Sequence, residues 1–448
     1  MTHARDREPI FAVATGNSTT AVAIIRISGE NILPLLAKII PKRDQWQARH
    51  AYLLKLTDND SHLDTCLALF FPAPHSYSGQ EMLEIHCHGG NYIRHRLCEL
   101  LQACGIRAAE AGELTKRAFL NGKIDLIHAE GIAQLINADT ETQWRAAQQL
   151  TSGSLPQQLN TLRNELIKAL SLLNAAIDFP DERETQVLQT KAVETAIITA
   201  SDQIKCMLTS YQQGRIAAHG LRIALVGRPN AGKSSLLNLL LQQPRAIVST
   251  IAGTTRDYLE ENFLLDGRLF KLVDTAGLHD TDDHIEQHGI KNTNAVITNC
   301  DLVCLLKAVD DPSPALELEA TQVLRLTNKI DLATSTQRQR AQRQGLIISC
   351  QTGEGIEQFQ RHLIKIFDHH IAPLKSQNST ISCERHYLAL QRSISALQLA
   401  LQELRQHNRA ECIAFELQVA VRELADIVGN VSNDEVLAEI FGKFCLGK

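Results

Sequence analysis

The sequence lacks the usual marks of a zinc-stabilised, secreted or membrane-spanning protein. Its 11 cysteines are scattered, and none forms the C-x-x-C pair that is typical of zinc sites and redox dithiols. Residues 1–8 carry charges instead of the apolar segment of a signal peptide, and no apolar run is long enough to span a bilayer. These absences predict a reduced, soluble, cytoplasmic protein without membrane attachment.

A strong excess of charge of one sign is also missing. The formal net charge is -5 over 448 residues, and 21% of the residues are charged, which is ordinary for a soluble globular protein. This weak acidity argues against a broad nucleic-acid-binding surface, but it allows a local basic patch or binding through a partner. The length predicts two or three domains.

A phosphate-binding loop is the most informative motif present. Residues 227–235 read G-R-P-N-A-G-K-S-S and directly follow the apolar run 221–226. Glycines let backbone N–H groups curl around phosphate oxygens, and the following helix N-terminus adds positive potential. Lys233 is expected to reach the β and γ phosphates, and the Ser234 hydroxyl to bind Mg²⁺. The predicted contact residues of this loop are Asn230, Ala231, Gly232, Lys233, Ser234 and Ser235.

Two further motifs complete the expected magnesium and γ-phosphate site. The strand-like run 269–273 ends in D-T-A-G, where Asp274 is expected to hold Mg²⁺ through water and Gly277 to donate its N–H to the γ-phosphate. Between this motif and the phosphate loop lies G-T-T-R-D, whose Thr255 is expected to complete the Mg²⁺ shell.

Two more motifs indicate that the base is guanine. A strand-like run at 322–327 leads into Asn328, Lys329 and Asp331 of N-K-I-D. An aspartate accepts from both guanine N1–H and N2–H₂, a pairing that adenine cannot offer, so the discrimination is strong. After the apolar run 346–348, a backbone N–H of Ser349 or Cys350 is expected to meet guanine O6. The five motifs in this order predict a GTPase domain.

The residues alone leave the water-positioning group open. Many Ras-like GTPases place a glutamine directly after D-T-A-G, but this chain has Leu278, whose apolar side chain cannot orient water. Arg256 is a candidate for the cation that offsets phosphate charge, and the Asn230 amide oxygen is a candidate ligand of a monovalent ion. The acids that remain as alternatives for positioning water are Asp280, Asp282, Asp283 and Glu286.

Apolar stripes at helical spacing flank the GTPase motifs. One stripe comprises Leu159, Leu162, Leu166, Leu170, Leu173 and Ile177, and the other comprises Leu390, Ile394, Leu397, Leu401 and Leu404. A further helix is predicted at 413–428, ending at Gly429, and linkers are expected at 211–214 and 373–380. Because each stripe needs an apolar surface, they predict a GTPase domain inserted into a helical bundle. Separate coiled-coil arms for dimerisation are the alternative.

Residues 1–122 predict an α+β domain. Strands are expected at 10–14, 21–28 and 82–86, and helices at 91–101 and 108–120.

Over essentially its full length the sequence resembles the tRNA uridine-5-carboxymethylaminomethyl modification GTPases, the MnmE (TrmE) family. Besides the GTPase motifs, the resemblance rests on I-I-R-I-S-G (24–29), S-Y-S-G (76–79), L-E and H-G-G (83–84 and 88–90), R-A-F-L-N-G-K (117–123) and F-C-L-G-K (444–448). It implies a multidomain α/β + α protein with a Ras-like P-loop GTPase domain (220–371). That domain is inserted into an α-helical bundle (123–219 and 372–448) and preceded by an α+β tetrahydrofolate-binding and dimerisation domain (1–122).

The resemblance also implies roles for individual residues. Arg26, Glu84, Lys123 and Lys448 match positions that grip a tetrahydrofolate, where cations suit the glutamate tail and a carboxylate suits the pterin's donor edge. Cys445 matches a family cysteine and is a candidate nucleophile. Glu286 matches the glutamate that positions water. The implied K⁺ ligands are Asn230, Ser249, the Ile251 carbonyl and Thr254, and the further GTP contacts are Thr250, Ala252, Gly253, Thr275 and Ala276.

The implied function is potassium-activated GTP hydrolysis in tRNA modification. A homodimer would join the FAD- and NADH-dependent MnmG (GidA) protein in a heterotetramer. With GTP, Mg²⁺, K⁺ and 5-formyl- or 5,10-methylene-tetrahydrofolate, it would add a carboxymethylaminomethyl group to C5 of the wobble uridine (position 34) of certain tRNAs. Two alternatives remain: a ribosome-assembly GTPase, which should carry a basic RNA-binding module, and a folate-dependent one-carbon transferase with a regulatory GTPase domain.

Overall fold

The chain divides into two compact units in the computed structural model. The first comprises Met1–Ile136, Leu150–Ala200 and Ser395–Lys448, and the second comprises Asn137–Gln149 and Ser201–Ile394. The structure describes residues 4–16, 18–43, 45–178, 183–241, 260–274, 300–313, 322–372, 380–406, 409–429, 434–442, 444 and 447. The domain boundaries expected from the sequence stay predictions.

The first unit contains a six-stranded sheet in the order β3-β4-β5-β2-β1-β6. Its strands are β1 (Ile10–Val13), β2 (Val22–Gly29), β3 (Ala51–Asp58), β4 (Ser61–Phe71), β5 (Glu81–His88) and β6 (Arg107–Ala108). All neighbours pair antiparallel except β1 with β6. One face packs on the core through alternating residues such as Ile25, Ile27 and Ile85, against α1 (Ile32–Leu35) and α2 (Asn91–Ala103).

The strands and α2 confirm the expected α+β character of this segment, but two elements differ. The sequence did not predict β3 and β4. The helix predicted at 108–120 is wrong in its first half, because Ala108 pairs with Phe11 of β1 and Gly112 adopts a left-handed φ of 67°. Helix α3 (Glu113–Leu120) begins only after that glycine.

Seven further helices in the described part of the chain lie, in sequence, between the segments that form the two sheets or after them. They are α4 (Leu126–Ile136), α5 (Glu141–Thr151), α6 (Ser154–Asp178), α7 (Arg183–Thr209), α12 (Glu384–Arg405), α13 (Ala410–Val428) and α14 (Asp434–Gly442). Helix α6 buries Leu159, Leu162, Leu166 and Leu173, as its stripe predicts. Its main partner is α13, which buries Leu417 and Leu424.

The second unit contains a six-stranded sheet in the order β12-β11-β10-β7-β9-β8. Its strands are β7 (Leu221–Gly227), β8 (Glu260–Leu265), β9 (Arg268–Asp274), β10 (Leu302–Ala308), β11 (Val323–Asn328) and β12 (Leu346–Ile347). All pairs are parallel except β8 with β9. Its helices are α8 (Tyr211–His219), α9 (Lys233–Leu241), α10 (Ser335–Gln344) and α11 (Ile356–Ile371).

Strand order decides where the motifs meet. The motif-bearing strands β7, β9, β11 and β12 all run parallel, so their carboxyl ends lie at one edge of the sheet, the usual ligand-binding edge of such folds. The four strands predicted before motifs are therefore confirmed. The linker expected at 211–214 is wrong, because these residues form the first turn of α8. Gly214 lets the backbone of α8 pack closely against Ile381, since a Cβ at this position would lie 2.3 Å from the Ile381 carbonyl oxygen.

Within the described part of the chain, no helix combines the length and apolar character that a bilayer span requires.

Candidate functional site

The phosphate loop connects the end of β7 with the start of α9. Gly232 has a φ of 94°, and a Cβ at this position would lie 2.1 Å from Nδ2 of Asn328. Gly227 is equally constrained, since its Cβ would lie 2.4 Å from the Leu306 carbonyl oxygen. Only glycine fits at both ends of the loop, which explains why the motif needs its two glycines in these places.

The predicted phosphate and metal side chains that the structure describes lie in this loop and in the first turn of α9. Lys233 donates from Nζ to the carbonyl oxygens of Gly227 at 2.8 Å and Arg228 at 3.2 Å, so its ammonium lies across the loop. Ser234 and Ser235 are exposed in the first turn of α9, where helix N–H groups attract anions. Asn230 is exposed with a left-handed φ of 62°. The arrangement suits a triphosphate and an accompanying Mg²⁺.

Asn328, at the end of β11, joins the phosphate loop to the loop that follows β12 and contains Cys350. It is only 2% exposed. Its Nδ2 donates to the Ala231 carbonyl at 3.0 Å, and its Oδ1 accepts the Cys350 backbone N–H at 3.2 Å. The sequence predicted Asn328 and Cys350 as separate contacts of the nucleotide. The structure adds a bridge between them, with the Cys350 N–H directed at Asn328.

Asp331, the predicted guanine-reading residue, is exposed shortly after the end of β11. Its Oδ1 accepts from the hydroxyl of the buried Ser349 at 2.5 Å, and the same hydroxyl accepts the Thr352 N–H at 3.1 Å. This hydroxyl fixes the carboxylate in one orientation, which favours paired acceptance from two guanine N–H groups. Burial raises the pKa of the neighbouring Cys350 thiol, although a hydrogen bond with Asn328 opposes this, so the thiol stays neutral.

The first unit brings together three of the four predicted folate residues. Arg26, Glu84 and Lys123 line one cavity of about 410 Å³, which we call the cationic pocket. The other lining residues of the cationic pocket are Arg49, Phe71, His75, Ser76, Tyr77 and Met82.

Arg26 and Glu84 form an ion pair inside the cationic pocket. They are cross-strand partners on β2 and β5, and Arg26 Nε donates to Glu84 Oε1 at 2.8 Å. His86 Nε2 lies 3.4 Å from the other carboxylate oxygen of Glu84. The Arg26 guanidinium also stands 6.0 Å from the centre of the Tyr77 ring. A carboxylate held in this way can accept from a flat heterocycle that stacks on nearby aromatic and apolar groups.

The chain end reaches the same place. Arg26 Nη1 lies 3.5 Å from the Gly447 carbonyl oxygen. Gly447 has a φ of 102°, and a Cβ there would lie 2.4 Å from the Val13 carbonyl oxygen of β1. The glycine of F-C-L-G-K therefore permits close packing of the chain end beside Arg26.

Comparison with known proteins decides the family. The family model of the MnmE helical domain matches residues 126–445, and that of the GTP-binding protein TrmE N-terminus matches residues 9–123. The tRNA modification GTPase MnmE of Chlorobaculum tepidum is 37% identical over 465 aligned residues, covering 98% of this chain and 97% of that protein. The chain belongs to the MnmE (TrmE) family.

Other relatives agree. The tRNA modification GTPase MnmE of Nitrosomonas europaea is 37% identical over 451 aligned residues, covering 98% of this chain and 99% of that protein. The resemblance that the sequence motifs indicate is confirmed. Among solved structures, the G domain of the T. maritima FeoB iron transporter aligns with 26% identity over 33% of this chain and 98% of that chain, at a TM-score of 0.26. That score is too low to bear on the fold.

Several predicted MnmE-type site residues lie outside the described residues. They are Ser249, Thr250, Ile251, Ala252, Gly253, Thr254, Thr255, Thr275, Ala276, Gly277, Glu286, Cys445 and Lys448, together with the open candidates Arg256, Leu278, Asp280, Asp282 and Asp283. The backbone of Asp274 ends β9 as predicted, and its side chain is likewise outside them. The assignments of the water-positioning group, the potassium ligands and the C-terminal nucleophile stay predictions.

Arg117, the first residue of the R-A-F-L-N-G-K motif of the MnmE family, belongs to a buried network of ion pairs. Arg117, 1% exposed, donates to Glu113 Oε1 at 2.8 Å and to the Glu8 carbonyl at 2.8 Å. Arg107 donates to both oxygens of Glu113 at 2.7 and 2.9 Å. Burial pushes the pKa of Glu113 upward, but hydrogen bonds from Arg107, the Glu110 N–H and Arg117 outweigh it, so the pKa is about 2. Arg117 therefore has a structural role on the helix that leads to Lys123.

Arg49 is a cationic pocket residue that the motifs did not indicate. It lies in the turn before β3, far from every motif in sequence, and no local pattern distinguishes it from a surface arginine. Only the pairing of β3 with β4 brings this turn to the cationic pocket.

Proposed function

We propose that the chain hydrolyses GTP to drive modification of tRNA, adding a carboxymethylaminomethyl group to C5 of the wobble uridine of certain tRNAs. Membership of the MnmE family supports the general activity, GTP hydrolysis in tRNA modification. The observation that carries the specific proposal is that one chain holds two unlike sites. One is the predicted guanine-nucleotide site, where Asn328 hydrogen-bonds to the phosphate loop. The other is a separate pocket that contains the Arg26–Glu84 ion pair.

GTP fits the first site. Lys233 and the N-terminus of α9 would face the phosphates, and the exposed Ser234 hydroxyl would be a ligand of Mg²⁺. Asp331, oriented by Ser349, would read the guanine edge. We extend the proposal to K⁺ with Asn230, Ser249, the Ile251 carbonyl and Thr254 as ligands, where the cation would offset phosphate charge in the transition state. The exposed, left-handed Asn230 supports this at one of the four positions.

A tetrahydrofolate fits the cationic pocket, and we propose that it supplies the one-carbon unit as a 5-formyl or 5,10-methylene derivative. Glu84 would accept hydrogen bonds from the pterin's donor edge, and Arg26 would hold that carboxylate in place. Phe71, Tyr77 and Met82 offer apolar surface to the ring system. Lys448 would add a further cation at the chain end, next to the residue whose carbonyl lies beside Arg26.

The proposal includes assembly. Leu53 of β3 and Leu67 of β4 are cross-strand partners, and they are 69% and 43% exposed. This apolar pair on the N-terminal sheet suits contact with a second copy of the chain, which supports a homodimer. The FAD- and NADH-dependent MnmG protein would complete a heterotetramer in the cytoplasm, and tRNA would bind to that complex.

We propose that the GTPase domain (220–371) is inserted into a helical domain (123–219 and 372–448). An N-terminal domain (1–122) would precede both. Helix α6 precedes the nucleotide-binding motifs and packs against α13, which follows them. Such packing supports an insertion, since one helical layer would be completed only when both chain halves are present.

Two assays on the purified full-length protein separate the two sites. Lys233→Ala should abolish GTP hydrolysis and leave binding of 5-formyltetrahydrofolate at the wild-type level. Glu84→Gln should weaken 5-formyltetrahydrofolate binding roughly 10-fold or more while GTP hydrolysis stays, because a hydrogen bond to a charged group is lost. Binding of 5-formyltetrahydrofolate that is unaffected by Glu84→Gln would contradict the pocket assignment, and loss of both activities in either variant would indicate misfolding.

A further inference from the structure

We propose that Arg49 and Lys123 form a subsite for the glutamate tail of the folate, so that the cationic pocket selects folates by the negative charge of that tail. The proposal rests on the proposed folate binding and adds Arg49 as a specificity-determining residue. The ligand chemistry is the set of free α- and γ-carboxylates of a glutamate tail, as in a folate with one or several γ-linked glutamates.

The backbone at Arg49 is the first observation. Arg49 has a φ of 57°, in the left-handed region that non-glycine residues seldom adopt. Its N–H donates to the Phe70 carbonyl at 2.8 Å, which fixes the turn against β4. A glycine or asparagine would adopt this backbone more easily. An arginine at a strained position that lines a pocket indicates that its side chain, rather than its backbone preference, is needed there.

The two cations converge on the same rim of the cationic pocket. Arg49 Nη2 donates to the His75 carbonyl at 2.9 Å, and Lys123 Nζ donates to the Pro74 carbonyl at 3.0 Å. Pro74 and His75 are neighbours in the loop between β4 and β5. Consecutive residues of one loop therefore accept hydrogen bonds from both positive groups, although these come from distant parts of the chain.

The charged residues that line the cationic pocket are of two kinds. Arg26 is paired with Glu84, so this pair is dipolar and nearly neutral. In the part of the chain that the structure describes, Arg49 and Lys123 are held by backbone carbonyls and neither forms an ion pair. Arg49 and Lys123 therefore carry two uncompensated positive charges. A pterin suits the Arg26–Glu84 pair, and the carboxylates of a glutamate suit Arg49 and Lys123.

The chemistry of the two side chains supports this match. A guanidinium binds carboxylate with two parallel hydrogen bonds, whereas an ammonium acts as a compact point charge. Arg49 keeps donors beyond the one that it gives to His75, because only Nη2 is used for that carbonyl. Together the residues can bind two carboxylates at once, and further glutamates would meet the same cations from the solvent side.

The test compares three probes on the full-length protein by isothermal titration calorimetry. They are 5-formyltetrahydropteroate, which lacks glutamate, 5-formyltetrahydrofolate with one glutamate, and its triglutamate form. The wild type should bind the two glutamylated probes roughly 10-fold or more tightly than the probe without glutamate. Arg49→Gln should remove most of that advantage and leave the affinity for 5-formyltetrahydropteroate within about 2-fold of wild type.

Arg49→Gly separates the proposed role from a structural one. Glycine suits a φ of 57°, so this variant should unfold at the same temperature as wild type or higher and still lose the preference for glutamylated probes. Arg43→Gln is the matched control, because Arg43 is an exposed arginine of the same unit that stands over the Tyr52 ring, outside the pocket lining. It should keep the wild-type preference.

The outcomes are distinct. Equal wild-type affinity for all three probes, or an equal loss for all three in Arg49→Gln, would overturn the glutamate subsite and leave folate binding intact. No binding of any probe by the wild type would refute folate binding itself, and the subsite with it. Unchanged affinities for all probes together with weaker tRNA binding in Arg49→Gln would reassign the cation to tRNA phosphates.

Discussion

Asn328 and Ala231 connect the guanine motif to the phosphate loop by a hydrogen bond of 3.0 Å between Nδ2 and the carbonyl oxygen. The same asparagine accepts the Cys350 N–H. One buried side chain thus holds together three loops that come from the ends of β7, β11 and β12. Because each loop carries predicted nucleotide contacts, the geometry of the predicted site depends on an internal contact as well as on the nucleotide.

Gly232→Ala should abolish tight GTP binding. The new Cβ would overlap Asn328 Nδ2 at 2.1 Å, and the φ of 94° is strained for alanine. We expect a loss of roughly 100-fold or more in GTP affinity and about 2–4 kcal/mol of stability. Gly267→Ala is the matched control, since φ is 73° but nothing lies within 4 Å of its Cβ. It should cost only about 1 kcal/mol and leave GTP affinity unchanged. Equal effects would show that backbone strain alone matters.

Asp331→Asn should exchange guanine specificity for xanthine. The carboxylate accepts from two guanine N–H groups, whereas an amide can donate to the oxygen that xanthine carries in place of the amino group. GTP affinity should fall roughly 100-fold or more, and XTP should bind better than GTP. Ser349→Ala, which removes the hydroxyl that orients Asp331, should weaken GTP by about 10-fold without favouring XTP. Unaltered GTP affinity in Asp331→Asn would disprove the role.

Glu113 should make the stability of the first unit depend on acid. Its pKa is about 2 in the folded chain and 4.5 without the fold. A lowered pKa stabilises the fold fully above pH 4.5, and that stabilisation disappears as the pH falls toward about 2. Glu113→Gln should cost about 3 kcal/mol at pH 7, because Arg107 and Arg117 lose their buried partner.

Urea unfolding at several pH values measures this effect. The difference between wild type and Glu113→Gln should shrink steadily below pH 4.5. Glu99→Gln is the control, since Glu99 forms a surface pair with Arg96 and is 45% exposed. It should cost less than about 1 kcal/mol at any pH. A difference for Glu113→Gln that is independent of pH would show that the ion network does not set the acid response.

GTP hydrolysis should be several-fold faster in K⁺ than in Na⁺ of the same ionic strength. Potassium would offset phosphate charge where no arginine is assigned. Glu286→Ala should lower turnover and leave GTP affinity nearly unchanged, because a water-positioning group acts on the transition state. The initial rate of phosphate release measures both effects. Equal rates in the two salts would remove the potassium assignment, and a wild-type rate in Glu286→Ala would assign the water to another acid.

The sequence predicted the elements that local patterns encode, whereas the folate residues came only from the family resemblance. The phosphate loop, N-K-I-D and the helix that ends at Gly429 depend on residues close together in the chain, so spacing and residue type were sufficient. The helix prediction for 108–112 is wrong. Its alanines favour a helix, but the parallel pairing of Ala108 with β1 outweighs that local preference.

Tertiary contacts explain what the sequence could not show. The bridge from Asn328 to Ala231 and the clash that keeps Gly232 a glycine join residues that are distant in the chain. Arg49 lines the cationic pocket only because β3 pairs with β4, and the sequence predicted neither strand. Chain topology, rather than composition, brought these side chains together.

Mass analysis of tRNA nucleosides tests the central claim most directly. A strain that lacks this chain should lose carboxymethylaminomethyl-uridine at the wobble position, and the intact gene should restore it. Complementation with Lys233→Ala, which should not hydrolyse GTP, should fail. Complementation with Glu84→Gln, which should bind folate roughly 10-fold or more weakly, should restore only part of the modification, whereas Arg43→Gln should restore it fully. Wobble uridines that stay fully modified in the deletion strain would contradict the account.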